Sequence, residues 1–122
     1  MDAVHALTSP LGRITISSGA IAQIVGETAL ECYGVVGMVP RNPVKRPVRR
    51  LLARDPTQGI AIGREDGAVT VELRVVVEYG LNLAEVASTL RNRVAYEVER
   101  LTGLAVGSVE VHIEDVRRSE PA

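Results

Sequence analysis

The sequence predicts an α+β fold: a two-layer sandwich in β-α-β-β-α-β order, with two helices on one face of a small, mainly antiparallel sheet. Three observations carry this. Residues 82–103 read as one complete amphipathic helix with both ends marked. Alternating strand patterns stand directly before and after it. The chain of 122 residues, 46% of them apolar, is long enough for one domain with a real core.

Residues 1–11 carry weak signals and are expected to form a loose start. A first short strand follows over residues 12–17, with Ile14 and Ile16 toward the core and Thr15 and Ser17 away from it. Ser17 or Ser18 can cap the next helix, where Ile21, Ile24, Val25, Thr28, Ala29 and Cys32 recur at helical spacing. Gln23, Glu27 and Glu31 form its wet edge, and Gly34 is placed to close it.

Prolines at 40, 43, 47 and 56 bar a continuous helix or central strand over residues 40–59, which reads as a flexible basic segment. Only 48–54 has room for a short helix. A hairpin comes next, with Ile60 and Ile62, a turn over Arg64-Glu65-Asp66-Gly67, then Val69, Val71, Leu73, Val75 and Val77. Its outward set, Thr70, Glu72, Arg74, Val76 and Glu78, is mostly polar, so one sheet face meets water.

In the second helix Leu83, Val86, Ala87, Leu90, Val94, Val98 and Leu101 make the buried stripe. Asn82 with Glu85 resembles a capping box, and Gly103 ends the helix. The last strand points Val109, Val111 and Ile113 inward, and Glu110, His112 and Glu114 outward. A single domain over residues 12–116 results, with 117–122 frayed and a split-βαβ arrangement as the default topology.

The composition excludes several classes. Net charge is −1, so there is no global pull toward nucleic acid or acidic lipid. Phe and Trp are absent and only Tyr33, Tyr79 and Tyr96 supply rings, which weakens any model that needs aromatic platforms for stacked bases. One cysteine excludes an internal disulfide, and no basic residue precedes Arg13, so a secretory leader is not expected. Gln23, Glu27 and Glu31 interrupt the apolar run 20–39, which argues against a membrane span.

The sharpest local feature is a run of six cations: Arg41, Lys45, Arg46, Arg49, Arg50 and Arg54, with no carboxylate before Asp55. Such a run can meet anionic headgroups, nucleic acid or an acidic partner, at up to about 1 kcal/mol per cation near an anionic membrane. The plainer alternative is a solvated loop. Gly34-Val35-Val36-Gly37 has the letters of an RNA backbone clamp, but its middle residues are apolar, so a helix stop and a tight turn burying valines is the better reading.

His112, between Glu110 and Glu114 on one strand face, could hold a metal weakly. Zinc sites need more convergent ligands, so a wet sheet face is expected and no metal or cofactor is assigned. Glu27 and Glu31 read as a solvated edge rather than an acid/base pair, and Cys32 as a buried thiol. No catalytic set emerges. His5, in the terminus, carries less weight still.

Gly12-Arg13-Ile14-Thr15-Ile16-Ser17, Tyr33-Gly34-Val35-Val36-Gly37-Met38, Val75-Val76-Val77-Glu78-Tyr79-Gly80, Leu101-Thr102-Gly103-Leu104 and Val109-Glu110-Val111-His112-Ile113 also occur in a telling order and spacing. Over about residues 12–116 the chain resembles the alkaline-shock, or general-stress, family of small envelope-associated proteins of Gram-positive bacteria. Leu51-Leu52-Ala53-Arg54 fits that pattern, whereas the Arg-rich, Pro-broken run before it departs from it.

The resemblance implies a cytoplasmic, non-enzymatic protein of envelope homeostasis and stress response, peripheral to the cytoplasmic membrane. It implies a self-associating homo-oligomer, held there by a membrane-anchored protein. The expected function is a scaffold or adaptor recruited through the basic run. The alternative is a nucleic-acid-binding module using Arg46, Arg49, Arg50 and the Gly34–Gly37 turn.

Overall fold

The computed structural model describes residues 4–40 and 57–118. Its elements are β1 (Val4–Ser9), β2 (Gly12–Ser17), α1 (Ser18–Glu31), β3 (Val35–Met38), β4 (Ile60–Glu65), β5 (Ala68–Glu78), α2 (Leu83–Thr102) and β6 (Val106–Arg117). The α+β sandwich read from the sequence is present.

β5 is the organising strand because its alternation is the longest and cleanest in the chain. Val69, Val71, Leu73, Val75 and Val77 are each no more than 2% exposed, all on the helix side. The Asp66-Gly67 turn, with φ of 51° and 81°, has the left-handed residues that match strand twist, and so returns β4 antiparallel onto β5. β3 pairs antiparallel with the same edge of β5 further along, and β6 pairs parallel with the opposite edge.

Both helices cover the inner face. Ile21, Val25 and Ala29 of α1 join Val86, Leu90, Val94 and Val98 of α2 in one cluster with the odd-numbered residues of β5. Each large aliphatic side chain fully buried there contributes roughly 1.5–3 kcal/mol. The Ser17 hydroxyl accepts the Ala20 N–H at 3.1 Å, and the Asn82 carboxamide accepts the Glu85 N–H at 3.0 Å. Each such cap contributes on the order of 1 kcal/mol. Gly103 closes α2 in the left-handed conformation, as expected.

Several expectations need correction. Residues 4–9 are not loose: β1 pairs with β2 from Val4↔Ser17 to Ser9↔Gly12. That hairpin forms its own two-stranded sheet, so the strand 12–17 does not join the main one. Leu7 and Ile16 pack against the core, whereas Ile14 on the same hairpin face is 62% exposed. The hairpin reaches past the edge of the core, and parity alone does not supply a neighbour.

The split-βαβ arrangement is also absent. β5 and β6 are adjacent and parallel, joined by α2 in an unsplit βαβ unit. Residues 35–38 form a paired strand instead of a tight turn, with Val35 buried and Val36 48% exposed. α1 ends at Glu31 with Cys32 as its cap, two residues before Gly34. Leu83 and Leu101 are exposed, because a helix of 20 residues spans about 30 Å and its ends overhang the sheet. Val76, expected in water, is 2% exposed and stands outside the main core cluster. β6 continues through Arg117, and the Arg118 guanidinium lies 4.5 Å from the centre of the Tyr79 ring, so fraying does not begin at 117.

Candidate functional site

The basic run Arg41, Lys45, Arg46, Arg49, Arg50 and Arg54 lies outside the described residues, but both of its anchors lie within them. The Val39 N–H donates to the Arg74 carbonyl, and the Arg74 N–H donates to the Gly59 carbonyl, each at 3.1 Å. The Gln58 side-chain amide donates to the Met38 carbonyl at 3.1 Å. The chain therefore leaves the edge of β5 and rejoins it at one residue. β3 and β4 are two parts of one strand position, separated by the basic excursion. The junction is tight, for a Cβ on Gly59 would stand 2.1 Å from the Val39 carbonyl oxygen. At φ +77° and that distance no other residue fits without moving backbone.

Directly outward from Arg74 lies a charged cluster on the face of the sheet opposite α1 and α2. The parallel register sets Glu72 opposite Glu110 and Arg74 opposite His112. His112 Nε2 is 3.3 Å from a carboxylate oxygen of Glu72 and 3.3 Å from one of Glu110. Glu114, expected beside His112, instead pairs with the Arg74 guanidinium, which also stands 3.9 Å from Glu72. A register shift between Val75 and Val76 leaves Glu114 without a register partner on β5, while Arg74, opposite His112, is within its reach. Glu72, forty residues from His112, is the member that reading one strand at a time misses.

The other candidates fare differently. Cys32 is buried, and burial pushes its thiol above its ordinary value, which opposes the nucleophilic thiolate. Val35 pairs with Val77 and the Gly34 carbonyl accepts from Glu78, so residues 34–37 form no open loop for a phosphate backbone. Glu27 and Glu31 rim a groove of about 270 Å³ between the helices, floored by Ile24, Thr28 and Leu101. Glu97 completes that rim, and its hydrogen bond with Arg100 holds its carboxyl below the ordinary value. His5 is 1% exposed, with Nε2 3.2 Å from the Ser18 hydroxyl. No helix among the described residues is long and apolar enough to cross a membrane.

The sequence profile of the alkaline shock protein family, described as having a cell envelope-related function, matches residues 6–118. The uncharacterized protein YloU of Bacillus subtilis is 33% identical over 116 residues, 94% of this chain and 97% of its own length. The uncharacterized protein Spy1614 of Streptococcus pyogenes is 30% identical over 107 residues, covering 87% of this chain and 88% of that protein. YqhY of Bacillus subtilis is 24% identical over 107 residues, 88% of this chain and 78% of its own. No solved structure gives a significant match. The chain belongs to the alkaline shock protein family.

Proposed function

We propose that this member of the alkaline shock protein family is a non-enzymatic scaffold or adaptor, recruited to the cytoplasmic side of the envelope through its basic excursion. The observation that carries the reading is the separation of charge. Six cations stand between residues 41 and 54 without a carboxylate, and the eight other basic residues face fifteen acidic ones. The excursion thus carries +6 and the remainder −7. Because both ends of the excursion are bonded to Arg74, the positive charge emerges from one point of the sheet edge rather than trailing from a terminus.

A cationic segment anchored at both flanks suits an anionic lipid surface or an acidic membrane-anchored partner, with an attraction that salt weakens. The same dipole suits self-association, the excursion of one copy against the acidic body of another. The exposed apolar residues Leu11, Ile14, Tyr33 and Tyr96 supply further contact surface for such assembly.

The test replaces Arg46, Arg49 and Arg50 together by Glu and measures co-sedimentation with vesicles containing anionic lipid, alongside oligomeric mass by ultracentrifugation. Loss of vesicle binding or of oligomers, with an unchanged circular dichroism spectrum, supports the reading. Recruitment and mass both unaltered would remove the excursion from the mechanism. A parallel low-salt titration with RNA decides the nucleic-acid alternative.

A further inference from the structure

We propose that Glu72, Glu110 and His112 form a binding site for a divalent transition-metal ion of zinc-like preference, on the outer face of the sheet where β5 meets β6. One imidazole nitrogen and one oxygen from each of two carboxylates lie within 4.8 Å of one another. Nitrogen and carboxylate oxygen together are the donor set that zinc accepts. Tetrahedral bonds of about 2.0–2.1 Å place neighbouring ligand atoms roughly 3.3 Å apart. His112 Nε2 already stands at 3.3 Å from both carboxylates, so the ion enters with little rearrangement on those two edges.

The local charge points the same way. Glu72 and Glu110 are direct register partners on adjacent strands, and like charges set opposite each other destabilise a sheet. Two carboxylates, Glu72 and Glu114, pair with the single guanidinium of Arg74, and a third, Glu110, stands beside His112, an excess of negative charge that a dication neutralises. Arg74 stands toward the other oxygen of Glu72, so it can orient that ligand from behind without occupying the metal position. The side chain of Glu110 is 70% exposed, which leaves the fourth position open to water. The only other histidine in the chain, His5, is buried, and the only cysteine is buried too. His112 is therefore the one accessible imidazole or thiol ligand.

A bound ion would clip β6 to β5 across the βαβ unit, so binding and stability are linked. The experiment titrates Zn²⁺ into the metal-free 122-residue chain by calorimetry, with Co²⁺ as the spectroscopic substitute. One equivalent should bind, raise Tm, and give the intense visible bands of tetrahedral Co²⁺. His112→Ala and Glu72→Gln should each weaken binding at least about tenfold, and Glu114→Gln less than about twofold. Zn²⁺ affinity unchanged in His112→Ala, or no Zn²⁺ binding by the wild-type chain, overturns the site. A tenfold loss in Glu114→Gln with none in Glu72→Gln overturns its membership, since that would put the ligands on β6 alone. All three positions are at least partly exposed, and a circular dichroism spectrum for each variant separates lost binding from lost fold.

Discussion

The two faces of β5 are made by alternate residues of one eleven-residue strand, yet they do different work. Val69, Val71, Leu73, Val75 and Val77 look inward and are closed to solvent by two helices. Thr70, Glu72, Arg74 and Glu78 look outward and remain partly exposed, and β6 sets His112 beside Glu72 and Glu114 beside Arg74. The inner face holds the fold by apolar burial, which needs no particular partner. The outer face contributes little stability, because exposed ion pairs are worth about 0–1 kcal/mol, but it gathers ionisable groups into one place. Apolar burial and ionisable groups are thereby assigned to opposite sides of the same strand.

That contrast can be broken most strongly from the inside. Leu73→Ala removes a fully buried side chain and should cost about 2–5 kcal/mol, read as a lower urea midpoint. A loss below about 1 kcal/mol would mean that the inner face is not the main support.

Comparing the two histidines sharpens it further. Desolvation, and secondly the positive charge of Arg64, lowers the pKa of buried His5 from its ordinary 6.5. The unfolded chain thus takes up this proton at higher pH than the native one. The stability tied to neutral His5 is fully present above 6.5 and is lost as pH falls from 6.5 through the native value. His5→Gln should flatten that acid-side slope in urea unfolding measured at a series of pH values. An unaltered slope would place the acid sensitivity elsewhere.

The smallest effect belongs to the outer face. In metal-free buffer Glu110→Gln should change unfolding free energy by no more than about 0.5 kcal/mol, with a gain the favoured sign because a like-charge pairing with Glu72 is relieved. A destabilisation as large as that of Leu73→Ala would erase the distinction between the faces.

Much of the scaffold was legible residue by residue. The caps at Ser17 and Asn82, the stop at Gly103 and the Asp66-Gly67 hairpin are signals confined to a few neighbouring residues, and the chain obeys them. The stripe Val86, Leu90, Val94 and Val98 was likewise readable from its spacing. The terminal hairpin was not, because the short apolar alternation of residues 4–9 becomes a strand only once β2 lies beside it. The candidate cluster was half legible: His112 and Glu110 share a face by simple parity, whereas Glu72 enters and Glu114 leaves through strand pairing.

Local physics in the sequence alone determined the helices, their ends, the hairpin turn and the aliphatic inner surface. Periodicity and capping act over one or two turns of chain. Only the tertiary structure decided that β6 runs parallel beside β5, that β1 and β2 stand apart, and that both ends of the basic excursion meet at Arg74. Those outcomes depend on register between segments up to forty residues apart. A shift of one residue there would exchange the inward and outward sets, and no neighbouring residue in the chain specifies which register wins.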